Sequence, residues 1–478
     1  MIAGVAADAG RASGRVRSAA IVLAYVVLGA VLCVTRLVGL GHSFWFDELY
    51  FVEHFVRRGP GEILVGPYLS HELYGVLAWL TSTVTGESET AYRLWSALPF
   101  LAGVAIVTAW LHTRLGAIAG LLFAFLATVS PLLLDIGRQA RGYGLAFLAM
   151  CILVVAALEA DRTKRALMVA VACAAGVIGT WTLPQFGIAF VAIGLVLLAD
   201  RELRRSAALS LAVSLAAIGA WYAPHLLQIQ AASQTPDGLR ISTAWLVTAP
   251  IDQVLLPALI WIDGIVAVPG IVWLPAVVLT ALIMASSPFV RERQSALILC
   301  SGVVATVVVL WLARAYVIPR YVSFLLVPLF VLLASGGASV LARVTTRPAL
   351  VRTVVCVAAV GVLAVRFVAI APDVVRLPRE AGRDAAQIID AQTPRTTPVF
   401  AYMHLTESLS FYLDRPLHRV GASTASRVCD HTPAVYVVEP FNFEPPRVDC
   451  LDRPGVRHYR FRQYARGNEI DVWLVPPR

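Results

Sequence analysis

Long apolar runs separated by short polar ones dominate the chain up to about residue 370. A bilayer crossing takes roughly 20 apolar residues. Runs of that order lie near 19–40, 94–111, 115–134, 141–159, 166–182, 184–199, 206–223, 268–285, 294–313, 321–342 and 350–370, which predicts about 11 transmembrane helices. Two segments fit less simply. Residues 71–85 are apolar but short, as interfacial or re-entrant segments are, and are expected to lie on the outer membrane face. Residues 244–267 are cut by Pro250 and Pro257 and carry Asp252 and Asp263, the pattern of an interfacial helix or a second broken crossing. After Ala371 the apolar runs give way to Pro372, Pro378, Pro394, Pro398 and many charged residues. Residues 379–391 are helical in pattern, while Pro398–Tyr402, Ala434–Val438 and Asp471–Val475 read as short strands. The expected fold is a polytopic α-helical membrane module over 1–371, with a first outer loop at 41–93, followed by a small α/β domain over 372–478.

Charge gives the module an orientation. The basic clusters are Arg11/Arg15/Arg17, His112/Arg114, Arg162/Lys164/Arg165, Arg201/Arg204/Arg205, Arg291/Arg293 and Arg343/Arg347/Arg352. With 11 spans, all of them fall on the side of the N-terminus, and the positive-inside rule makes that side cytoplasmic. The N-terminus then reads as a signal anchor in a plasma (inner) membrane. Residues 41–93, 135–140, 224–267, 314–320 and everything after 371 are expected outside. Composition agrees: 58% of the 478 residues are hydrophobic and 14% charged, against about 25% charged in soluble domains. The net charge of +9 rests on arginine, since Lys164 is the only lysine. Cytoplasmic loops account for this charge without a nucleic-acid partner, and the Ala/Val/Arg-rich usage is that of a high-GC bacterium. Cys429 and Cys450 are the only cysteines after residue 371. An oxidising compartment permits a disulfide between them, two separate buried thiols being the other reading.

The candidate chemistry gathers in the loops expected outside. The first holds His42, Asp47, Glu48, Glu53, His54, Glu62, His71, Glu72, Glu87, Glu89 and Arg93. The second brings Asp135, Arg138, Gln139, Arg141 and Tyr143, and the loop before the tenth span carries Arg314, Tyr316, Arg320 and Tyr321. A carboxylate can take a proton from an attacking hydroxyl. Guanidinium forks suit phosphate oxygens. The combination at head-group level fits transfer from a lipid phosphate. Each group also has a plainer reading: Asp47–Glu48 as a solvated helix cap, the arginines as residues snorkelling from span ends, His71 as a helix-start histidine satisfied by a neighbour.

Five segments resemble the GT-C superfamily of membrane glycosyltransferases, in particular its family 39-like group, which includes protein O-mannosyltransferases and lipid A aminoarabinose transferases. Phe44–Tyr50 resembles the Trp-x-Asp-Glu segment. Ser70-His71-Glu72-Leu73-Tyr74 is similar to His-Pro-Pro-Leu-Tyr, with Glu72 departing from proline. Gly86–Pro99 resembles Gly-x-Ser-Glu-x-x-x-Arg-Leu-x-Ser-Ala, Arg138–Tyr143 resembles Gln-Glu-Ala-Arg-x-Tyr, and Pro319-Arg320-Tyr321 the late Pro-Arg-Tyr. The resemblance covers residues 20–370 in order.

It implies a polyprenyl-phosphate-linked sugar as donor and an inverting transfer to an extracytoplasmic acceptor: an envelope glycan, a glycolipid or a protein. It places the catalytic base at Asp47 with Glu48 beside it, and the donor-phosphate arginines at Arg138, Arg141 and Arg320. His71, Tyr74, Asp135, Tyr143 and Tyr321 are expected to bind substrate. The family often has Glu where this chain has Gln139; either Asp135, one helical turn away, substitutes for it or the role is absent. The pair Asp47/Glu48 is also a candidate for Mg2+ or Mn2+ beside a phosphate. No HExxH or paired-cysteine spacing supports zinc, and no glycine-rich loop followed by lysine supports a nucleotide donor. A lipid-linked sugar flippase would need ionisable residues in mid-span, and the predicted spans are nearly free of them. A non-catalytic envelope-assembly scaffold would not need acids and arginines on one face. The suspected source points to mannose or arabinofuranose as the sugar.

Overall fold

In lipid, backbone N–H and C=O groups must be satisfied within the protein, and apolar runs of this length do so as helices. The computed structural model describes residues 2–65, 71–225, 273–312, 319–344, 367–368, 371–378, 380–402, 405–421, 423–438, 448–462 and 469–477. Eleven helices open the chain: α1 (Ile2–Leu37), α2 (Phe46–Phe51), α3 (Pro60–Val65), α4 (Glu72–Thr85), α5 (Glu89–Leu115), α6 (Ala117–Val129), α7 (Pro131–Ile136), α8 (Tyr143–Thr163), α9 (Ala166–Thr182), α10 (Phe186–Ala199) and α11 (Arg204–Tyr222). Trp273–Ala285, Arg293–Leu312 and Leu326–Val344 continue the series. Described helices thus lie within each of the first ten expected span ranges, the eighth being described only from residue 273. Of the eleventh only Phe367 and Val368 are described, and residues 244–267 lie outside the described residues. Five described segments are long and apolar enough to cross a membrane: Ser18–Leu37, Glu89–Leu115, Tyr143–Thr163, Arg293–Leu312 and Arg320–Arg343. At 1.5 Å per residue α4 is about 21 Å long, short of the roughly 30 Å hydrocarbon core.

The chain divides into two compact units. The first comprises Met1–Arg36, Leu64–Tyr74 and Trp95–Ala369. At its centre α8 is apolar on every side and largely buried, as a core helix must be. It packs on α9; α10 packs on Arg293–Leu312, and α6 on Leu326–Val344. Glycine permits a close crossing: a Cβ on Gly144 of α8 would collide with the backbone carbonyl of Ser96 in α5. The end of α6 is closed by a residue from α1. Arg36, fully buried, donates to the carbonyls of Ala127 (3.0 Å) and Thr128 (3.1 Å). These carbonyls lie in the last turn of α6, where backbone acceptors lack helical partners and a cation meets the negative end of the helix dipole.

The second unit comprises Leu37–Ile63, Gly75–Leu94 and Ile370–Arg478. It holds a five-stranded sheet of β1 (Val399–Tyr402), β2 (Leu417–Val420), β3 (Ala434–Val438), β4 (Arg457–Arg462) and β5 (Glu469–Val475), in the order β2-β1-β3-β5-β4. β1 runs parallel to β2 and β3, while β5 is antiparallel to β3 and β4. Parallel neighbours need a crossover, which the helix Leu405–Tyr412 provides between β1 and β2. The strand period of two sends Val399, Ala401, Val435 and Val437 to one face, beneath Ala385, Ile389, Leu405 and Leu409. Phe400, Tyr402, Tyr436 and Val438 face the other core. There Cys429 and Cys450 are joined in a disulfide, with Cα atoms 5.6 Å apart.

Candidate active site

Each unit contains its own group of buried polar residues. In the second unit the group is built around α2. Phe44, fully buried, fixes the entry to this helix, and its amide donates to the Tyr412 hydroxyl at 2.7 Å. The first helical amide, that of Phe46, donates to Glu380 Oε2 at 2.9 Å. A carboxylate there complements the positive end of the helix.

Asp47 and Glu48 are neighbours in sequence but point about 100° apart around the helix. Glu48 is 1% exposed and faces inward. Arg93 takes both its oxygens, Nε to Oε1 at 2.9 Å and Nη2 to Oε2 at 2.6 Å. Glu48 Oε2 also accepts the Trp45 amide at 3.2 Å. The same guanidinium donates to the carbonyls of Leu40 (2.8 Å), His42 (2.6 Å) and Ser43 (3.1 Å) and lies over the Phe44 ring. Glu48 thereby ties α2 to Arg93 and to the loop carbonyls that Arg93 holds. Among the described residues no three His, Cys, Asp or Glu side chains group as a metal site. Asp47 remains half-exposed on the other side of the helix turn.

In the first unit the group is built around the turn 137–142. Ser130 and Pro131 start α7, with Ser130 as N-cap, and Gly137 and Gly142 bracket the turn that follows. Ser96 pins both ends of it: its hydroxyl donates to the Ile136 carbonyl and accepts the Gly144 amide, each at 3.2 Å. The turn carries Arg138, Gln139 and Arg141, which are 8%, 3% and 7% exposed. His71 docks against it. The His71 amide donates to the Thr182 carbonyl at 2.9 Å, and its Nδ1 accepts the Gly142 amide at 3.2 Å. A Cβ at Gly142 would lie 2.5 Å from Thr182 Cγ2 and 3.0 Å from His71 Nδ1, so only glycine fits. His71 itself has φ +68°, a left-handed backbone that costs a non-glycine residue about 1–3 kcal/mol and persists where the surroundings impose it.

Burial, helped by the Arg141 and Arg320 charges, holds the His71 imidazole well below its ordinary range. The ring is therefore neutral. Because Nδ1 accepts a backbone amide, the proton sits on Nε2, which makes that atom a donor. The Tyr143 ring stands edge-on to His71 at 4.8 Å, and the Arg141 guanidinium lies 5.7 Å from the Tyr143 centroid. Arg320 comes from the turn Pro319–Leu325 and lies 5.7 Å from the Tyr321 ring. Beside His71, Glu72 is 1% exposed, and burial pushes its carboxyl up to about 7. Its Oε2 lies 3.4 Å from the Tyr222 hydroxyl, whose single proton goes to the Thr180 carbonyl at 2.6 Å.

Of the expected site residues, His71, Arg141, Arg320 and Tyr143 come together in this group, with Tyr74 fully buried against Gly142. Asp135 is half-buried on α7, and Tyr321 half-buried beside Arg320. Ser70, Arg314 and Tyr316 lie outside the described residues. Sequence reasoning assigned no role to Arg93, Ser96 or Tyr222. The only available signal was that Arg93 and Ser96 stand inside one of the recognised motifs.

No family model matches the chain, and no curated protein does. Solved structures do. The crystal structure of ArnT from Cupriavidus metallidurans in the apo state is similar with a TM-score of 0.56 at 16% identity, covering 96% of this chain and 98% of that one. The same protein bound to undecaprenyl phosphate is similar with a TM-score of 0.53 at 17% identity, covering 95% and 98%. At this identity the likeness shows the fold. The chain is a multi-pass helical membrane protein with the fold of ArnT.

Proposed function

We propose that this GT-C-fold chain is a glycosyltransferase that moves a sugar from a polyprenyl-phosphate donor to an acceptor outside the cytoplasm. The observation that carries the reading is the group around His71. Two guanidinium charges, from Arg141 and Arg320, act on a buried neutral imidazole whose Nε2 bears a proton. Such a set of donors suits phosphate oxygens. A lipid phosphate is favoured over a free one because a similarly folded ArnT structure is bound to undecaprenyl phosphate.

The transfer is a single displacement with inversion. Asp47 takes the proton of the acceptor hydroxyl as its oxygen bonds to the anomeric carbon. The bond from that carbon to the phosphate oxygen breaks, and the electron pair leaves with the polyprenyl phosphate. Arg141, Arg320 and the His71 Nε2–H stabilise the charge that grows there. Arg138, on the same turn, adds to the positive potential. Glu48 acts through Arg93, positioning α2 and hence Asp47. The basic clusters in the loops support a cytoplasmic N-terminus in a plasma (inner) membrane, with the C-terminal residues outside. Mannose and arabinofuranose are the first donors to test, with an envelope glycan, glycolipid or protein as acceptor.

The test supplies membranes containing the chain with each radiolabelled polyprenyl-phosphate sugar and follows the label. Wild type moves label from one of them, and Asp47→Asn abolishes the transfer at normal expression. Full activity in Asp47→Asn would remove the base assignment, and no transfer from any such donor would remove the reading as a whole.

A further inference from the structure

The phosphate-binding reading leaves a second set of buried polar atoms unused, one residue along the chain. Glu72 follows His71 directly. Its Oε2 lies beside the Tyr222 hydroxyl at 3.4 Å, but its Oε1 is buried and has no hydrogen-bond partner among the described residues. A buried carboxylate oxygen left without a hydrogen bond costs at least about 1–3 kcal/mol, which a bound hydroxyl would recover. A carboxylate serving only the start of α4 would sit in solvent, where an acid at a helix N-terminus is stable without burial.

The elements around Glu72 add aromatic surface and further donors. Tyr222 ends α11, and its neighbour Trp221 stacks on Trp181 of α9, with centroids 4.5 Å apart and rings inclined by 17°. Both indole Nε1–H groups are buried without a partner among the described residues. Trp181 lies between Thr180, whose carbonyl holds the Tyr222 hydroxyl, and Thr182, whose carbonyl holds the His71 amide. A carboxyl oxygen, indole N–H donors and flat aromatic faces are the groups that bind a pyranose or furanose, which has apolar ring faces and hydroxyls around its edge. Successive residues are about 3.8 Å apart, the scale of the step from a phosphate to the sugar it carries.

We infer that Glu72, positioned by Tyr222, is the specificity-determining residue for the donor, accepting a hydrogen bond from a hydroxyl of its sugar beside the Trp181–Trp221 pair. This rests on the reading of the His71 group as the phosphate subsite. At neutral pH the carboxyl is partly protonated, so it both donates and accepts, which matches hydroxyls.

The experiment measures binding of three probes to the full chain in nanodiscs: bare polyprenyl phosphate, polyprenyl-phosphate mannose and polyprenyl-phosphate arabinofuranose. Wild type should hold one sugar lipid more tightly than the bare lipid. Glu72→Gln should weaken that sugar lipid by about tenfold, the worth of one buried hydrogen bond, and leave the bare lipid within about twofold. Tyr222→Phe, which removes a single oxygen and keeps the packing, should lower the same preference in the same direction. Equal weakening of sugar lipid and bare lipid in both variants, or no change in either, overturns the inference. If wild type binds bare lipid and gains nothing from either sugar, the inference and the donor assignment fall together. If wild type transfers sugar and Glu72→Gln keeps its preference, only the inference falls.

Discussion

Replacing Arg93 separates holding the loop from doing chemistry. Its guanidinium is 6% exposed and pairs with the 1% exposed Glu48 carboxylate through two hydrogen bonds. Removing one member of such a buried pair strands the other charge and costs about 3–5 kcal/mol. Arg93→Ala also takes the donor away from the Leu40, His42 and Ser43 carbonyls. These losses overlap, so the expected total is about 4–5 kcal/mol. Arg93→Lys keeps the charge without the fork and should cost about 2 kcal/mol. Amide hydrogen exchange over residues 40–51 reads the local opening directly. At about 1.4 kcal/mol per factor of ten, Arg93→Ala should lower protection there by roughly a thousandfold. Glu48→Gln should act similarly, and the double variant should fall well short of the sum of the two, because neighbours in one network are not additive. Asp47→Asn should leave protection within about threefold while abolishing transfer. A loss under tenfold in Arg93→Ala, or equal deprotection in Asp47→Asn, would refute the division of roles between the two adjacent acids.

Other outcomes follow from the first unit and from the sheet. Gly142→Ala should reduce binding of polyprenyl phosphate by at least about tenfold with helix content unchanged, because its Cβ would press on Thr182 Cγ2 at 2.5 Å and displace His71; titration with the bare lipid checks this. Glu72 makes stability depend on pH. Its carboxyl is raised from 4.5 to about 7 in the folded chain, so between these values the native state binds more protons than the unfolded one. Stability then falls as pH rises from about 4.5 to 7 and levels off above, by about 3 kcal/mol in all; melting curves in detergent should show this slope, and Glu72→Gln should lack it. Cys429→Ser should cost about 3 kcal/mol, the chain-entropy value for a loop of this size, and heating followed by limited proteolysis of the C-terminal sheet should show it.

The sequence carried the helices well because lipid leaves little choice: an apolar run of span length becomes a helix, and the described helices sit on the expected ranges. Strands β1, β3 and β5 were legible as Val- and Tyr-rich alternations. The edge strands β2 and β4 were not, since LHRV and RHYRFR are rich in basic residues, as edges that avoid further pairing tend to be. The difference between Asp47 and Glu48 was invisible for a related reason. Both are acids in one motif, and only the tertiary position of Arg93, 45 residues from Glu48, turns one of them inward. Nothing in the sequence singled out Arg36, whose partners are carbonyls about 90 residues away. Long-range pairing of this kind leaves no periodic trace in a single chain.

The make-up of the second unit sets an order of events during synthesis. Phe44 and Tyr412 are 368 residues apart, and Ser43 and Glu380, which are also hydrogen-bonded, are 337 apart. At translation rates of about 5–20 residues per second, the segment bearing Asp47 waits on the order of 20–70 s for the partners that cap and bury it. Through that interval the Phe44 and Phe46 amides lack the Tyr412 hydroxyl and the Glu380 carboxylate that accept them. The nascent chain therefore holds the segment around Asp47 without these distant capping partners until its C-terminal residues are made.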